Sequence, residues 1–298
     1  MSTLSVTRLL ADYRAGRLDP SELVDRLPAH DLPIWITRVP DAELRAAAAA
    51  LDAGDRSLPL YGVPFAVKDN IDVAGMPTTA GCPGFATIAE ETAPVVQLLL
   101  AAGALLVGKT NMDQFATGLV GTRSPYGVPT SVFDSGRVSG GSSSGSAVAV
   151  ALGEVAFSLG TDTAGSGRVP AAFNELVGVK PTRGLISTRG VVPACASLDC
   201  VSVFTADVAG AAAVLRVAVA ADAHDPWSRA FAPQTAPRRG VIGVPDGPLP
   251  FTEPAAQAAW EDALSRAAER WELVPVDVSP LLEAAPLLYA AWISERTT

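Results

Sequence analysis

The stretch VSGGSSSGSAVAVALGEVAFSLGTDTAGSGRVP, Val138 to Pro170, decides how the chain reads. It opens on a Gly/Ser run, Ser139 to Ser146, crosses apolar sequence, and closes on Gly160-Thr161-Asp162-Thr163-Ala164-Gly165-Ser166-Gly167-Arg168-Val169-Pro170. Glycine lets a chain turn tightly and lie against a small ligand. Two serine-bearing glycine turns on either side of an apolar segment therefore bring hydroxyls and backbone amides to one place. Between the turns, Ser146 to Leu152 reads as helix and Val155 to Leu159 as strand. That puts the Gly/Ser run at a helix N-terminus and Gly160-Thr161-Asp162 at a strand's exit.

Working outward, Leu60 to Val67 reads as a strand that ends at Lys68-Asp69-Asn70, and Ala93 to Ala102 as a helix followed by the strand Ala104 to Gly108. This alternation predicts an α/β protein with a mixed central β-sheet flanked by α-helices. Upstream, Leu9, Leu10 and Tyr13, then Leu23, Val24 and Leu27, recur at helical spacing, with Asp19-Pro20-Ser21-Glu22 as a start signal and Asp41 to Leu51 as a third helix. Downstream, Val177 to Val179, Val201 to Phe204 and Val241 to Val244 read as strands. Asp207 to Ala221, Glu253 to Arg270 and Ser279 to Glu295 read as helices, and Ala223 to Gly240 as a long surface loop.

The 298 residues, 49% hydrophobic, suffice for a sizeable core. A net charge of −9 without a basic cluster gives no footprint for nucleic acid and no polybasic membrane patch. Ala93 to Gly108 and Ala206 to Ala221 are apolar but interrupted and short of the roughly 20 residues of a bilayer span. Cys82, Cys195 and Cys200 lack metal-ligand spacing, and the N-terminus lacks the basic-then-apolar pattern of an export signal, so a cytoplasmic protein is expected. With only two histidines, His30 and His224, both in loop-like sequence, a histidine-based triad is not expected.

If Ser166 is a nucleophile, a neighbouring base must take its proton, and lysine is the base at hand. Holding a lysine neutral near pH 7 asks for a shift of about 3 units, roughly 4 kcal/mol, from desolvation or nearby positive potential. Lys68, after Val63-Pro64-Phe65-Ala66-Val67, has the most apolar context, although Lys109 and Lys180 also follow strand-like runs. Thr163-Ala164-Gly165-Ser166 is a turn whose successive amides can point at one oxyanion. Ser142 can relay, because a hydroxyl both donates and accepts a proton.

Lys68-Asp69-Asn70, Gly140-Gly141-Ser142-Ser143 and Gly160 to Ser166, in that order, resemble the amidase signature family, which hydrolyses amides with a Ser-Ser-Lys triad. The resemblance implies Ser166 as nucleophile, Ser142 as a bridging serine held by a cis peptide bond, and Lys68 as general base. It implies an oxyanion hole from Thr163, Ala164 and Gly165, with no metal and no organic cofactor. Within the family the wording is closest to the allophanate hydrolases, through Gly121 to Gly127, Ala164, Gly167-Arg168-Val169-Pro170 and the segment Pro193 to Ser202, although Ala196 stands where an arginine is expected. That likeness implies ammonia release from allophanate in urea degradation, with substrate contacts at Arg123, Tyr126, Tyr289 and Arg296; the alternatives are a general amidase or a glutamine-amidotransferase-type subunit and, from another class, an inactive remnant or binding scaffold. Tyr289 and Arg296 are seven residues apart, one fewer than the pattern asks. By the same likeness residues 1–298 form one amidase-type domain, expected to be incomplete: a helical segment 1–55, a motif-bearing core 56–222 and a partial substrate-side portion 223–298. The partners expected are a small-molecule amide and either a second copy of the chain, as a homodimer, or another chain that completes the domain, with no nucleic acid and no membrane.

Overall fold

The computed structural model describes residues 3–231, 240–247 and 249–297. The chain divides into two compact units, Met1–Phe231 and Ala232–Thr298.

In the first unit the chain runs α1 (Val6–Arg14), α2 (Pro20–Val24), β1 (Trp35–Arg38), α3 (Asp41–Asp52), β2 (Pro64–Lys68) and a small ribbon, β3 (Pro77–Thr78) with β4 (Thr87–Ile88). It continues through α4 (Pro94–Ala101), β5 (Leu105–Thr110), α5 (Ser144–Ala151), β6 (Phe157–Asp162), α6 (Val169–Phe173), β7 (Val177–Val179), β8 (Cys200–Thr205) and α7 (Val208–Ala218). Six strands form one sheet in the order β1-β5-β2-β6-β8-β7. β2 runs parallel to β5 and β6, whereas β1 is antiparallel to β5, and β8 to both β6 and β7. The sheet is therefore mixed, as the sequence predicts.

Alternation along β2 divides the core. Phe65 and Val67 join Phe157, Leu159 and Val201 in a cluster with α1, α4 and α7, while Ala66 joins α5 and Phe204 on the other face. Lys68, next in phase after Ala66, ends the strand on the α5 side. Every residue of α5 is buried, and its small side chains are the reason it fits: a methyl added at Gly145 would sit 2.4 Å from the Ile34 carbonyl oxygen. Ser144 is its first residue, so the Gly/Ser run does lead into a helix N-terminus.

In the second unit β9 (Val241–Pro245) pairs in parallel with β10 (Glu272–Val276), the two joined through α8 (Pro254–Ala268) and followed by α9 (Ser279–Ala284) and α10 (Leu287–Thr297). The single helix expected over Ser279 to Glu295 is two, because Pro286, with no N–H and a ring that crowds the preceding turn, falls between them. The strand expected from Leu60 starts only at Pro64, since Gly62 turns the chain at φ +67°. Of the loop expected over Ala223 to Gly240, residues 232–239 lie outside the described residues. No helix among the described residues is long and apolar enough to cross a membrane.

Candidate active site

Lys68 is fully buried, and its Nζ donates to Ser142 Oγ at 2.8 Å and Thr161 Oγ1 at 2.8 Å, with a longer contact of 3.5 Å to the Thr161 carbonyl. Burial brings its pKa from 10.5 down to about 7, against the opposing pull of Asp113, Asp162 and Asp199. The other two lysines weighed from sequence are placed differently. Lys109 lies 3.4 Å from the buried Asp69 carboxylate and donates to Thr78 Oγ1 and the Pro77 carbonyl. Lys180 donates to the Pro181 carbonyl. Of the three, Lys68 is the one whose ammonium meets a serine.

Ser142 closes the first glycine turn. The Gly141–Ser142 peptide is cis, Gly141 N–H donates to the Leu119 carbonyl at 2.9 Å, and the Ser142 carbonyl accepts from Asp113 N–H at 3.0 Å. Asp113 in turn accepts from Gly121 N–H at 3.0 Å and Arg123 N–H at 2.8 Å. One buried aspartate thus ties the 121–123 loop, through its carboxylate, to the turn that carries Ser142, through its backbone N–H. Neither neighbour leaves room for a side chain at Gly141, where a methyl would stand 2.3 Å from Asp113 Oδ2 and 2.5 Å from Gly121 N.

Ser166 sits, buried, in the turn between β6 and α6. Asp162 builds that turn: its carboxylate accepts from Gly165 N–H at 2.8 Å, Gly167 N–H at 2.9 Å and both arms of Arg168 at 3.0 Å. Burial alone would raise its pKa, but the Arg168 guanidinium and the two amides outweigh it and hold the carboxyl below the usual carboxylate range. Gly165's amide is therefore already engaged, while Thr163 and Ala164 head the same turn. Thr163 Oγ1 donates to Asp199, whose other bonds come from Ala194 N–H at 2.8 Å and Cys195 N–H at 3.2 Å. Burial pushes Asp199 upward. A cavity of about 260 Å³ opens beside Asp199, lined also by Pro193, Ala196 and Trp227. The nearby Cys200 thiol, pushed up to about 11 by burial, holds its proton at neutral pH.

The remaining sequence candidates are less engaged. Arg123 is exposed, with Nη1 donating to the Thr117 carbonyl at 3.0 Å, and Tyr126 is half-buried, its N–H on Ser124 Oγ at 3.2 Å. Tyr289 is 65% exposed on α10 of the second unit, and the Arg296 side chain lies outside the described residues. Sequence reasoning assigns no role to Asp113, Asp199, Thr161 or Asn70. The last two stand inside the quoted motifs, and their nearness to Lys68 and Ser166 in sequence is the one signal that points to them.

The amidase family profile matches residues 21–298. A urea amidolyase of Lachancea kluyveri is 47% identical over 284 residues, which cover 93% of this chain and 16% of that protein. A component of the glutamyl-tRNA(Gln) amidotransferase of Symbiobacterium thermophilum is 39% identical over 287 residues, covering 89% of this chain and 58% of that one. Among solved structures, a Kluyveromyces lactis allophanate hydrolase matches with a TM-score of 0.91 and 44% identity, covering 99% of this chain and 51% of that chain. The chain spans less than two thirds of the length of each of these three proteins.

Proposed function

The chain belongs to the amidase family, and from that premise we propose that it hydrolyses the terminal amide of allophanate, a carboxylated urea, through an acyl-enzyme on Ser166. The observation that carries this reading is Lys68: a fully buried amine, brought to about 7, with Nζ 2.8 Å from a serine hydroxyl. An amine in that range is a base at neutral pH, and a serine is a relay.

In the first half-reaction Ser166 Oγ attacks the amide carbonyl. Its proton passes to Ser142 Oγ as the Ser142 proton passes to Lys68 Nζ. The oxyanion is met by the amides of Thr163 and Ala164, and by that of Gly165 in competition with Asp162. Collapse returns the proton from Lys68 through Ser142 to the leaving nitrogen, and ammonia departs. Water then attacks the Ser166 ester, giving up its proton along the same route, and the acyl group leaves as a carboxylate. Arg123 and Tyr126, on the unit that carries Ser166, hold the substrate; a guanidinium offers its carboxylate two charge-assisted hydrogen bonds.

The test is ammonia release by the purified chain from allophanate, glutamine and a simple aliphatic amide, in the parent and in Ser166→Ala. Turnover of allophanate well above the other two, lost in the variant, is expected, with Arg123→Ala raising KM more than it lowers kcat. Preference for glutamine would instead favour an amidotransferase-type activity, and equal turnover of all three a general amidase. Undiminished turnover by Ser166→Ala would remove the nucleophile from the scheme.

A further inference from the structure

Lys68 has to do two things in the proposed reaction: take a proton from Ser142, and carry the resulting positive charge in a buried site. The second task falls on groups outside the two serines and the lysine. An ammonium has three N–H donors. Those of Lys68 meet Ser142 Oγ at 2.8 Å, Thr161 Oγ1 at 2.8 Å and, at 3.5 Å, the Thr161 carbonyl, so two of its three acceptors belong to one residue. All three are neutral oxygens.

Thr161 is itself held. Asn70 Nδ2 donates to Thr161 Oγ1 at 3.2 Å and to the Val192 carbonyl at 3.2 Å, and Ser143 Oγ donates to the Thr161 carbonyl at 3.2 Å. A carbonyl can only accept, so Val192 fixes which way the Asn70 amide faces, and the amide keeps a donor on Thr161. Asn70 Oδ1, by contrast, is buried with no hydrogen-bond partner among the described residues. An amide that satisfied itself first would not leave its acceptor bare, since an unmade buried hydrogen bond is costly. The arrangement serves Thr161.

We propose that Thr161, held in place by Asn70, is the positioning residue of the base: it fixes the Lys68 amine against Ser142 and stabilises that amine once protonated. The inference rests on the reading of Lys68 as base. Other charges face Lys68 too, Asp113 from the segment after β5, Asp162 at the end of β6 and Asp199 ahead of β8, with the Asp69–Lys109 pair alongside. These are unchanged by substitution at Thr161, which isolates the hydroxyl.

The experiment follows the rate at which a fluorophosphonate probe labels Ser166 as a function of pH, a readout that needs no knowledge of the substrate. The parent is expected to gain rate with pH through a midpoint set by Lys68. Thr161→Val, of the same shape, removes one acceptor from the ammonium. Its midpoint is expected to fall by about one pH unit and its plateau rate by roughly tenfold, the scale of one charge-assisted hydrogen bond. Thr161→Ser keeps the oxygen and should keep the parent midpoint. Asn70→Ala should shift the midpoint in the same direction as Thr161→Val, by less. A rate loss without a midpoint shift in Thr161→Val, or an equal shift in Thr161→Ser, would overturn the inference, since either outcome is what lost packing gives. Should Thr161→Val fail to fold, an unmoved midpoint in folded Asn70→Ala overturns it as well. No labelling of Ser166 in the parent, or a midpoint that survives Lys68→Ala, would instead refute the base itself.

Discussion

Replacing Lys68 with methionine tests the buried base with no substrate present. Burial takes this lysine from 10.5 to about 7. At about 1.36 kcal/mol per pH unit, the folded chain gives up ~5 kcal/mol relative to a lysine in water. Below pH 7 folded and unfolded chains both carry the proton and the whole penalty applies. Between the two values only the unfolded chain holds it, so stability climbs by about 1.4 kcal/mol per pH unit and the penalty is gone once both are neutral. Methionine has a similar reach and no charge, but forfeits the bonds to Ser142 and Thr161, roughly 1 kcal/mol each. The variant should therefore exceed the parent by about 3 kcal/mol near pH 6 and fall short of it by about 1 kcal/mol near pH 10. Guanidinium denaturation of both proteins, followed by tryptophan fluorescence across that range, measures the difference, in which all other titrating groups cancel. A difference that stays constant with pH would refute a depressed Lys68.

Two further outcomes follow from the packing of the turns. Gly145→Ala places a methyl 2.4 Å from the Ile34 carbonyl and 2.7 Å from Asn111 N, both backbone atoms that cannot swing aside. It should cost on the order of 3 kcal/mol, seen as a fall of roughly 6–12 °C in Tm; an unchanged melt would mean that α5 can lift away. Asp162→Asn removes the charge that gathers Gly165, Gly167 and Arg168. Because the carboxyl is held below its ordinary range, its contribution is present above about pH 4 and is lost as pH falls through the lower folded value. Parent and variant melts should therefore converge in acid, and a gap independent of pH would contradict the assignment.

The elements legible in the sequence are those whose residues have only one use. β6 and β8 are short, apolar-rich segments buried along their whole length, and they read as strands with shifted ends. β1 does not, because Trp35-Ile36-Thr37-Arg38 is four residues beside prolines and forms only by pairing with the edge of β5, far away in the chain. β10 contains Pro275, which argues against a strand until the parallel partner β9 is known. In the site, glycine turns with hydroxyls announce themselves, and Lys68 meets Ser142 across 74 positions of sequence. The carboxylates that hold those turns do not. Asp113 and Asp199 look like ordinary loop residues in sequence, and only tertiary structure shows that each is buried and filled by backbone amides.

Those carboxylates also expose the conflict on which the site is built. Asp113, Asp162 and Asp199 each accept hydrogen bonds from a loop that lies beside Ser142 or Ser166. Yet all three raise the pKa of Lys68 and work against a neutral amine. Burial of the amine is the larger effect and decides the sign. Each carboxylate has local donors: Asp162 is bound by Arg168 and two amides, Asp113 by two amides, Asp199 by two amides and a hydroxyl. Negative charge spent on nearby N–H groups acts less on an amine farther off. A mutation that frees one of these carboxylates from its donors should therefore raise the Lys68 pKa while leaving Lys68 itself untouched, so the geometry of the turns and the protonation of the amine are set by the same residues.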